Sequence, residues 1–282
     1  MTGPAAIAIG RDGVVVSGPD AGSFLQGQLS QNVLDLAPGE SRWSLLLEPT
    51  GKMVAWLRVT FRGDDDYLLD LEEGHGPSVV ERLGRFLIRI ECTVEPVDLR
   101  MLAVRGPGAH EVTTDATVRH DPGWSGIEAI DLVDTAVERP AGVADLAADE
   151  LDLMRIRSGI PAMGREITAD VIPAELGLVG RSVDFDKGCY TGQELVARID
   201  SRGGNVPRRI RVVEIDGAVP PVGAALFGEG DESGTLSSVS RSPDGAIALA
   251  LVHRRIEAPA DAVVRWADGE AAAHVRPVPG AG

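Results

Sequence analysis

The sequence predicts an α+β fold followed by a small C-terminal β-domain, either a barrel or a sandwich. In the first half, strand-like runs are interrupted by a helical run over 77–90 and then resume. After residue 202, short β-branched runs alternate with Asp-Gly turns, a pattern typical of antiparallel hairpins. We therefore expect two domains, 1–202 and 203–282, with the polar segment DSRGGNVP at their boundary.

The first elements follow from the local pattern of apolar residues. IAIGRDGVVVSG predicts strand, turn and strand, with Asp12-Gly13 as the turn. DAGSFLQGQLSQNV then places its apolar residues on one face of a short helix. The next strand-like stretch is broken by turns at 49–51 and 63–66, so it predicts three strands.

The middle of the chain changes period twice. Apolar residues recur at helical spacing over 77–90, and the segment CTVEPVDL predicts the strand that follows. A second helix is expected from residue 149 until it is stopped near Gly159-Ile160-Pro161. Alternation over 183–185 predicts a short strand. In the C-terminal region, hairpin turns are expected at Asp216-Gly217, Asp244-Gly245 and Asp268-Gly269.

Composition restricts the function. The formal net charge of −16 argues against broad attraction to nucleic acid or to an anionic membrane. Cys92 and Cys189 are the only cysteines, which indicates a reducing cytoplasm rather than a disulfide-held secreted chain. The start resembles no signal peptide, and the apolar run 246–252 is too short to span a bilayer. The five histidines lack metal-ligand spacing, so no metal site is expected.

The segment VDFDKGCYTGQELVARI, 183–199, concentrates unusual residues. Thr191 and Glu194 have the spacing of a capping box, in which each side chain satisfies a backbone amide at a helix start. Helix formation alone therefore explains part of this segment.

The cysteine of this segment needs another explanation. Cys189 precedes a predicted helix N-terminus and lies two residues after Lys187, and both features favour a reactive thiolate. Gly188 and Gly192 permit backbone conformations and close approaches that other residues resist. The alternative is that Cys189 is a small buried hydrophobic residue.

These residues match a known family. DKGCYTGQELVAR closely resembles the signature Lys-Gly-Cys-Tyr-x-Gly-Gln-Glu of the YgfZ-type folate-binding proteins, which are implicated in iron–sulfur cluster assembly and repair. The segments FLQGQ and EPTGKMVAWLRV are similar to further segments of that family. The resemblance implies catalytic roles for Cys189 and Lys187 and folate-binding roles for Tyr190 and Gln193. It implies motif roles for Gly188, Gly192 and Glu194.

The family is related to the T-protein of the glycine cleavage system, a folate-dependent aminomethyltransferase. Residues 155–178 resemble the wider superfamily's Arg-x-x-x-Gly-x-Pro-x-x-Gly…Pro-x-Glu segment, which implies folate-binding roles for Arg155 and Glu175. A carboxylate at Glu175 can accept two parallel hydrogen bonds from a pterin ring. The alternatives for Glu175 are helix capping or surface charge. Ala55 and Trp56 stand where T-proteins carry a catalytic aspartate.

The resemblance implies a T-protein-like fold: a ferredoxin-like subdomain interleaved with a folate-binding α+β domain in residues 1–202, then a C-terminal β-barrel. It implies a cytoplasmic protein that binds tetrahydrofolate or a one-carbon derivative and supports iron–sulfur enzymes or assembly factors, with an indirect effect on tRNA modification. Neither direct nucleic-acid binding nor membrane attachment is expected. Two alternatives stay open: a folate-dependent one-carbon (aminomethyl) transferase and a non-catalytic scaffold.

Overall fold

The computed structural model describes residues 3–280. One sheet is built from β1 (Ala5–Ser17), β2 (Ser41–Leu47), β3 (Met53–Gly63), β4 (Asp66–Glu72), β5 (Thr93–Arg105), β6 (Val118–His120), β7 (Ala129–Asp134) and β8 (Ala144–Asp145). A second contains β9 (Arg208–Asp216), β10 (Ala225–Gly228), β11 (Asp231–Ser242), β12 (Gly245–His253), β13 (Ala260–Trp266) and β14 (Gly269–Arg276). The α-helices are α1 (Ala21–Gln28), α2 (Gly76–Gly84), α3 (Ala148–Arg157), α4 (Val179–Ser182) and α5 (Gln193–Asp200), and short 3-10 turns occur at Ala109–Glu111 and Pro173–Leu176.

The first sheet has the order β2-β3-β4-β1-β5-β7-β6, and β8 adds a parallel pairing to β1. Its other pairings are antiparallel. The three strands predicted between residues 41 and 72 are confirmed as β2, β3 and β4. The short helix predicted after the first strand is confirmed as α1, and its buried side chains include Phe24 and Leu25.

The predicted Asp12-Gly13 turn is wrong, because β1 runs through both residues as one strand. Asp12 accepts a hydrogen bond from the Gly76 N–H at 2.6 Å and so anchors the start of α2. A Cβ on Gly13 would lie 2.6 Å from Leu99 Cδ1 on β5. The missing side chain at Gly13 therefore allows close packing within a strand and does not make a turn.

The helix predicted over 77–90 is shorter in the structure. α2 ends at Gly84, a poor helix former, and buries Val79 and Leu83. Ile88, beyond this end, is 78% exposed. The strand predicted to follow is confirmed as β5 and extends to Arg105. The helix predicted from residue 149 is also confirmed: α3 ends before Gly159, which has a φ of +67°.

The C-terminal strands form a closed barrel in the order β10-β11-β12-β9-β14-β13, so the barrel prediction is confirmed over the sandwich. Its core includes Val213, Leu236 and Val264. Asp244-Gly245 and Asp268-Gly269 lie at the β11–β12 and β13–β14 hairpins, as predicted. Asp216-Gly217 makes no hairpin, because β9 pairs with β12 and β14 rather than with β10.

Packing divides the chain into two compact units. The first contains 1–123, 127–146 and 178–198, and the second contains 124–126, 147–177 and 199–282. Segment 147–177 is therefore grouped with the barrel, although it precedes the boundary predicted at residue 202. The domain boundary itself and the ferredoxin-like subdomain remain predictions.

Two possible features are absent from residues 3–280. No helix there has the length and apolar character needed to cross a membrane. The same residues also bring together no group of three or more His, Cys, Asp or Glu side chains that could hold a metal ion.

Candidate functional site

The signature segment lies in the first unit, where Lys187 fixes its start. The Lys187 ammonium donates to three backbone carbonyls, those of Gln26 at 2.8 Å, Leu29 at 2.6 Å and Gln31 at 2.9 Å. These carbonyls lie in or just beyond the last turn of α1, where helical carbonyls lack intrahelical partners. Lys187 therefore ties the signature segment to the end of α1.

The ammonium of Lys187 is suited to this position. Burial lowers its pKa to about 8, although the charge of Asp184 acts in the opposite direction. A pKa of about 8 keeps most of the ammonium protonated at neutral pH. Three carbonyl oxygens are the partners that its three N–H groups require.

The strand predicted over 183–185 is wrong, because this stretch has no regular structure. The Asp184 N–H instead donates to the Ser30 carbonyl at 3.0 Å. The Asp184 carboxylate accepts from the backbone N–H groups of Asp186 and Lys187, at 2.8 and 3.2 Å. This turn leads the chain into the signature segment.

Tyr190 and Gln193 contact each other within the same loop. The Tyr190 N–H donates to Gln193 Oε1 at 3.1 Å. The Tyr190 ring is buried, and the Lys187 Nζ lies 5.3 Å from its centroid. Burial raises the pKa of the Tyr190 phenol to about 12, so the hydroxyl stays protonated. Both side chains shape the loop, and their predicted contact with folate remains a prediction.

The predicted capping box is wrong. The Thr191 Oγ1 lies 3.4 Å from the Gly27 carbonyl, to which the Thr191 N–H also donates at 3.0 Å. Glu194 forms an exposed ion pair with Arg198 at 2.8 Å. α5 begins at Gln193, because Gly192 takes a left-handed conformation between Thr191 and the helix.

The two signature glycines have different environments. Gly192 has a φ of +87°, and a Cβ there would lie 2.6 Å from the Glu48 carbonyl oxygen. Gly51, in the β2–β3 turn, has a φ of +82°, and its Cβ would lie 2.6 Å from Leu195 Cβ. Gly188 has a φ outside the left-handed region, and its Cβ would meet no described atom within 4 Å. The close approach expected at Gly192 is present, with protein atoms, whereas the constraint expected at Gly188 is absent.

The two cysteines also differ. Cys189 is exposed, so its interpretation as a buried hydrophobic residue is wrong. Cys92 directly precedes β5 and is half-buried. Burial, with a smaller contribution from the charge of Asp20, raises the pKa of the Cys92 thiol. Of the two thiols, only Cys189 is freely presented to solvent.

Ala55 and Trp56 are both buried in β3. Trp56 stacks on Trp43 of β2, with ring centroids 4.1 Å apart, and its indole N–H donates to Ser182 Oγ at 3.0 Å. The Arg181 guanidinium lies 5.2 Å from the Trp56 ring centroid and 5.7 Å from that of Trp43. An aromatic pair beneath a cation thus occupies the position that the resemblance matches to the T-protein aspartate.

This aromatic cluster contains unsatisfied polar atoms. Trp43 Nε1 and His120 Nε2 are buried without a hydrogen-bond partner among residues 3–280. The His120 ring meets Trp43 edge-on at 5.8 Å. Burial, assisted by the charge of Arg58, lowers the pKa of His120 to about 4, so the imidazole is neutral at pH 7.

Carboxylates close to this cluster are held in ion pairs. Asp70 on β4 pairs with Arg58 and with Arg11, each at 2.7 Å. Asp131 on β7 pairs with Arg58 at 3.0 Å and with Arg105 at 2.9 Å. Burial would raise the pKa of Asp70, but the charges of Arg58 and Arg11 outweigh it and lower the pKa to about 2. These carboxylates are therefore poor proton acceptors at neutral pH.

Glu175 belongs to the second unit, in the 3-10 turn Pro173–Leu176. It is only 3% exposed. Arg208 at the start of β9 donates to both oxygens of its carboxylate, from Nε to Oε1 at 2.8 Å and from Nη2 to Oε2 at 3.2 Å. The Ile172 N–H adds a long contact at 3.4 Å. Glu175 is thus neither a surface charge nor mainly a helix cap, and its carboxylate is oriented to accept two parallel donors.

Arg155 occupies a second polar centre of this unit. Its guanidinium donates to Asp152 at 2.8 Å, to the Ile160 carbonyl at 2.7 Å and to Ser238 Oγ at 2.8 Å. It also contacts the buried Glu166, which accepts from Ser238 Oγ at 2.7 Å. These contacts join α3 to barrel strand β11. The contact predicted between Arg155 and folate remains a prediction. Glu166 was not predicted as a site residue, since its sequence signal is only a carboxylate two residues after Gly164.

A cleft of about 520 Å³ lies beside these centres, within the second unit. It passes between residues 165–171 and the barrel, and its lining includes Arg208, Asp170, Glu232 and His253. This volume falls in the range of roughly 300–1,000 Å³ found for small-molecule sites.

Comparison with known proteins gives the relationship. The family described as GCVT N-terminal domain matches residues 12–138. The tRNA-modifying protein YgfZ of Klebsiella pneumoniae is 27% identical, over 94% of this chain and 89% of its own. An aminomethyltransferase of Lysinibacillus sphaericus is 24% identical, over 82% of this chain and 72% of its own. This chain is thus similar in sequence both to the YgfZ protein and to aminomethyltransferases.

The fold of this chain matches that of a solved aminomethyltransferase. It superposes on the glycine cleavage system aminomethyltransferase T of Bartonella henselae with a TM-score of 0.81, 19% identity and coverage of 99% of this chain and 86% of the other. The T-protein-like architecture expected from the sequence is therefore present at the level of the whole fold. The family match over 12–138 includes Ala55 and Trp56 but ends before the signature segment.

Proposed function

We propose that this protein binds tetrahydrofolate, or a one-carbon derivative of it, and supports iron–sulfur enzymes, including those that modify tRNA. The observation that carries the folate proposal is the buried Glu175 carboxylate, which accepts two parallel N–H donors from a planar group. The pterin ring of folate presents a ring N–H beside an exocyclic amine, the same donor arrangement as one edge of a guanidinium. Residues at the Glu175 centre thus fit the proposed ligand.

Aminomethyl transfer is the less favoured alternative. In T-protein chemistry a carboxylate must accept a proton from the reacting amine. Ala55 and Trp56 cannot do so, and Asp70 is held in its charged form by Arg58 and Arg11. We therefore expect folate to be bound without T-protein-type turnover. The exposed Cys189 favours a thiol-dependent role over a purely packing scaffold.

Calorimetry with tetrahydrofolate tests the binding site. We expect Glu175→Ala to weaken binding by about 1.5 kcal/mol, the lower end of the range for charged hydrogen bonds, because Arg208 already satisfies the free carboxylate. Glu214→Ala is the matched control, since it removes an exposed carboxylate of the same unit that pairs with Arg276. Equal affinity of wild type and a folded Glu175→Ala would remove Glu175 from the site.

Complementation tests the role in iron–sulfur metabolism. Cells lacking the protein should regain iron–sulfur enzyme activity with the wild-type gene but not with Cys189→Ser. The serine is nearly isosteric and Cys189 is exposed, so the fold should be retained. Cys92→Ser, which changes the half-buried thiol, should still rescue if it folds. Full rescue by Cys189→Ser would refute the thiol role.

A further inference from the structure

Glu175 and Arg208 form an asymmetric pair. The Glu175 side chain is 3% exposed, whereas the Arg208 side chain is 43% exposed. The carboxylate is thus fixed inside the second unit while the guanidinium reaches it from a more open position. A buried carboxylate without partners is strongly unfavourable, so any group that replaces Arg208 must supply equivalent donors.

Arg208 lies beside a cleft into which its side chain could move, and acidic residues line that cleft. Its side chain lines the cleft of about 520 Å³, which Asp170 and Glu232 also line. The carboxylates of Glu175 and Asp170 both raise the pKa of the Arg208 guanidinium. An Arg208 side chain that left Glu175 would therefore enter an open cleft lined by acidic side chains. The cost of leaving would be much smaller for Arg208 than for Glu175.

We propose that Arg208 competes with folate for Glu175 and that folate binding displaces the guanidinium into the cleft. The inference rests on the proposed folate function. In the free protein, Arg208 supplies the two parallel hydrogen bonds that the pterin edge would supply in the complex. Arg208 is then a specificity-determining residue: a ring enters only if its own paired donors replace those of the guanidinium. A ligand without such an edge leaves Arg208 in place.

Binding of two ligands to Arg208→Met tests this competition. The methionine retains much of the side-chain length but donates no hydrogen bond. We expect this variant to bind tetrahydrofolate about tenfold more tightly, which corresponds to about 1.4 kcal/mol. Charge alone predicts the opposite result: folate is an anion, so the loss of a positive charge would weaken its binding. p-Aminobenzoylglutamate, which has the anionic tail but lacks the pterin ring, should bind the variant no more tightly.

Arg276→Met is the matched control. It removes an exposed barrel arginine whose partner is Glu214, and it should leave the affinity for tetrahydrofolate unchanged. Ligand-induced melting shifts provide a second measurement. Because tetrahydrofolate would satisfy the unpaired carboxylate of Arg208→Met, it should raise the melting temperature of this variant more than that of the wild type.

A double-mutant cycle makes the test independent of absolute affinities. Glu175→Gln should reduce tetrahydrofolate affinity more in the Arg208→Met background than in the wild type. If Arg208→Met does not fold, Arg208→Gln replaces it, because the amide retains one donor and should give a smaller gain. Weaker or unchanged binding by a folded variant would overturn the competition. If the wild type binds no folate, the proposed function fails first, and this inference fails with it.

Discussion

At the scale of single residues, two glycines of the signature segment are under different structural constraints, which the sequence alone does not show. Gly188 and Gly192 are the same residue type in one short motif. Only Gly192 has a left-handed backbone and lies against another chain segment, the end of β2. The structure thus assigns Gly192 a steric role in holding the loop, whereas the fold places no such restriction on Gly188.

Paired alanine substitutions test this difference. Gly192→Ala should destabilise the protein by about 1–3 kcal/mol, because its Cβ would meet the Glu48 carbonyl and its backbone would be strained. Gly188→Ala should change stability by less than about 0.5 kcal/mol, as at other unconstrained surface positions. Urea unfolding followed by circular dichroism measures both. Equal destabilisation by the two variants would contradict the assigned roles.

At the scale of elements, Lys187 completes helix α1. Because α1 has eight residues, carbonyls without intrahelical partners make up a large share of its backbone. The Lys187 ammonium satisfies three carbonyls at or beyond its last turn. A residue that the family resemblance implied to be catalytic therefore also has a structural function, which joins two segments far apart in sequence.

Lys187→Met tests the link between α1 and the signature segment. The variant leaves three partly buried carbonyls without their donor, so we expect a loss of about 2–4 kcal/mol of unfolding free energy. Glu194→Gln is the control in the same motif: it breaks only an exposed ion pair and should change stability by less than about 1 kcal/mol. Hydrogen exchange should show faster opening of α1 in Lys187→Met alone. A stable Lys187→Met with normal protection of α1 would exclude the structural function.

Elements also differ in how far their own sequence determines them. Helices α1 and α3 and two of the three predicted barrel hairpins were predictable because local patterns determine them. The turn predicted at Asp12-Gly13 is absent because a glycine is also favoured within a strand where a neighbouring strand packs closely against it. The capping box failed because Thr191 contacts α1, a long-range partner that spacing does not reveal. The Trp43–Trp56 stack could have been inferred from the β2–β3 hairpin, but Arg208 could not, since its role depends on tertiary proximity to Glu175.

At the scale of the whole molecule, buried titratable groups determine how the fold responds to acid. His120 is half-buried as a neutral imidazole with a pKa of about 4, against 6.5 for an ordinary histidine. Between pH 6.5 and 4, His120 is protonated in the unfolded chain but stays neutral in the folded protein. Stability therefore falls as the pH drops from 6.5 to 4. Asp70, with its pKa lowered to about 2, contributes stability above pH 4 that is lost as the pH falls further.

A histidine variant isolates the first of these windows. We expect the wild type to lose about 2–3 kcal/mol between pH 6.5 and 4 through His120. His120→Gln cannot take up that proton and should show a flatter profile in this window, with the later loss near pH 2 retained. Urea midpoints measured across the pH series give the comparison. An unchanged slope between pH 6.5 and 4 in His120→Gln would show that other groups control acid stability.

The way the chain alternates between the two compact units affects biosynthesis. The first unit needs residues 178–198, which emerge from the ribosome only after the segment 147–177 that belongs to the second. A nascent chain of 146 residues has its main sheet but lacks the Ser182 acceptor for Trp56 and the Lys187 ammonium for α1. Translation at about 5–20 residues per second leaves the first unit incomplete for several seconds. We therefore expect the nascent chain to need chaperones most between the synthesis of residue 146 and that of residue 198.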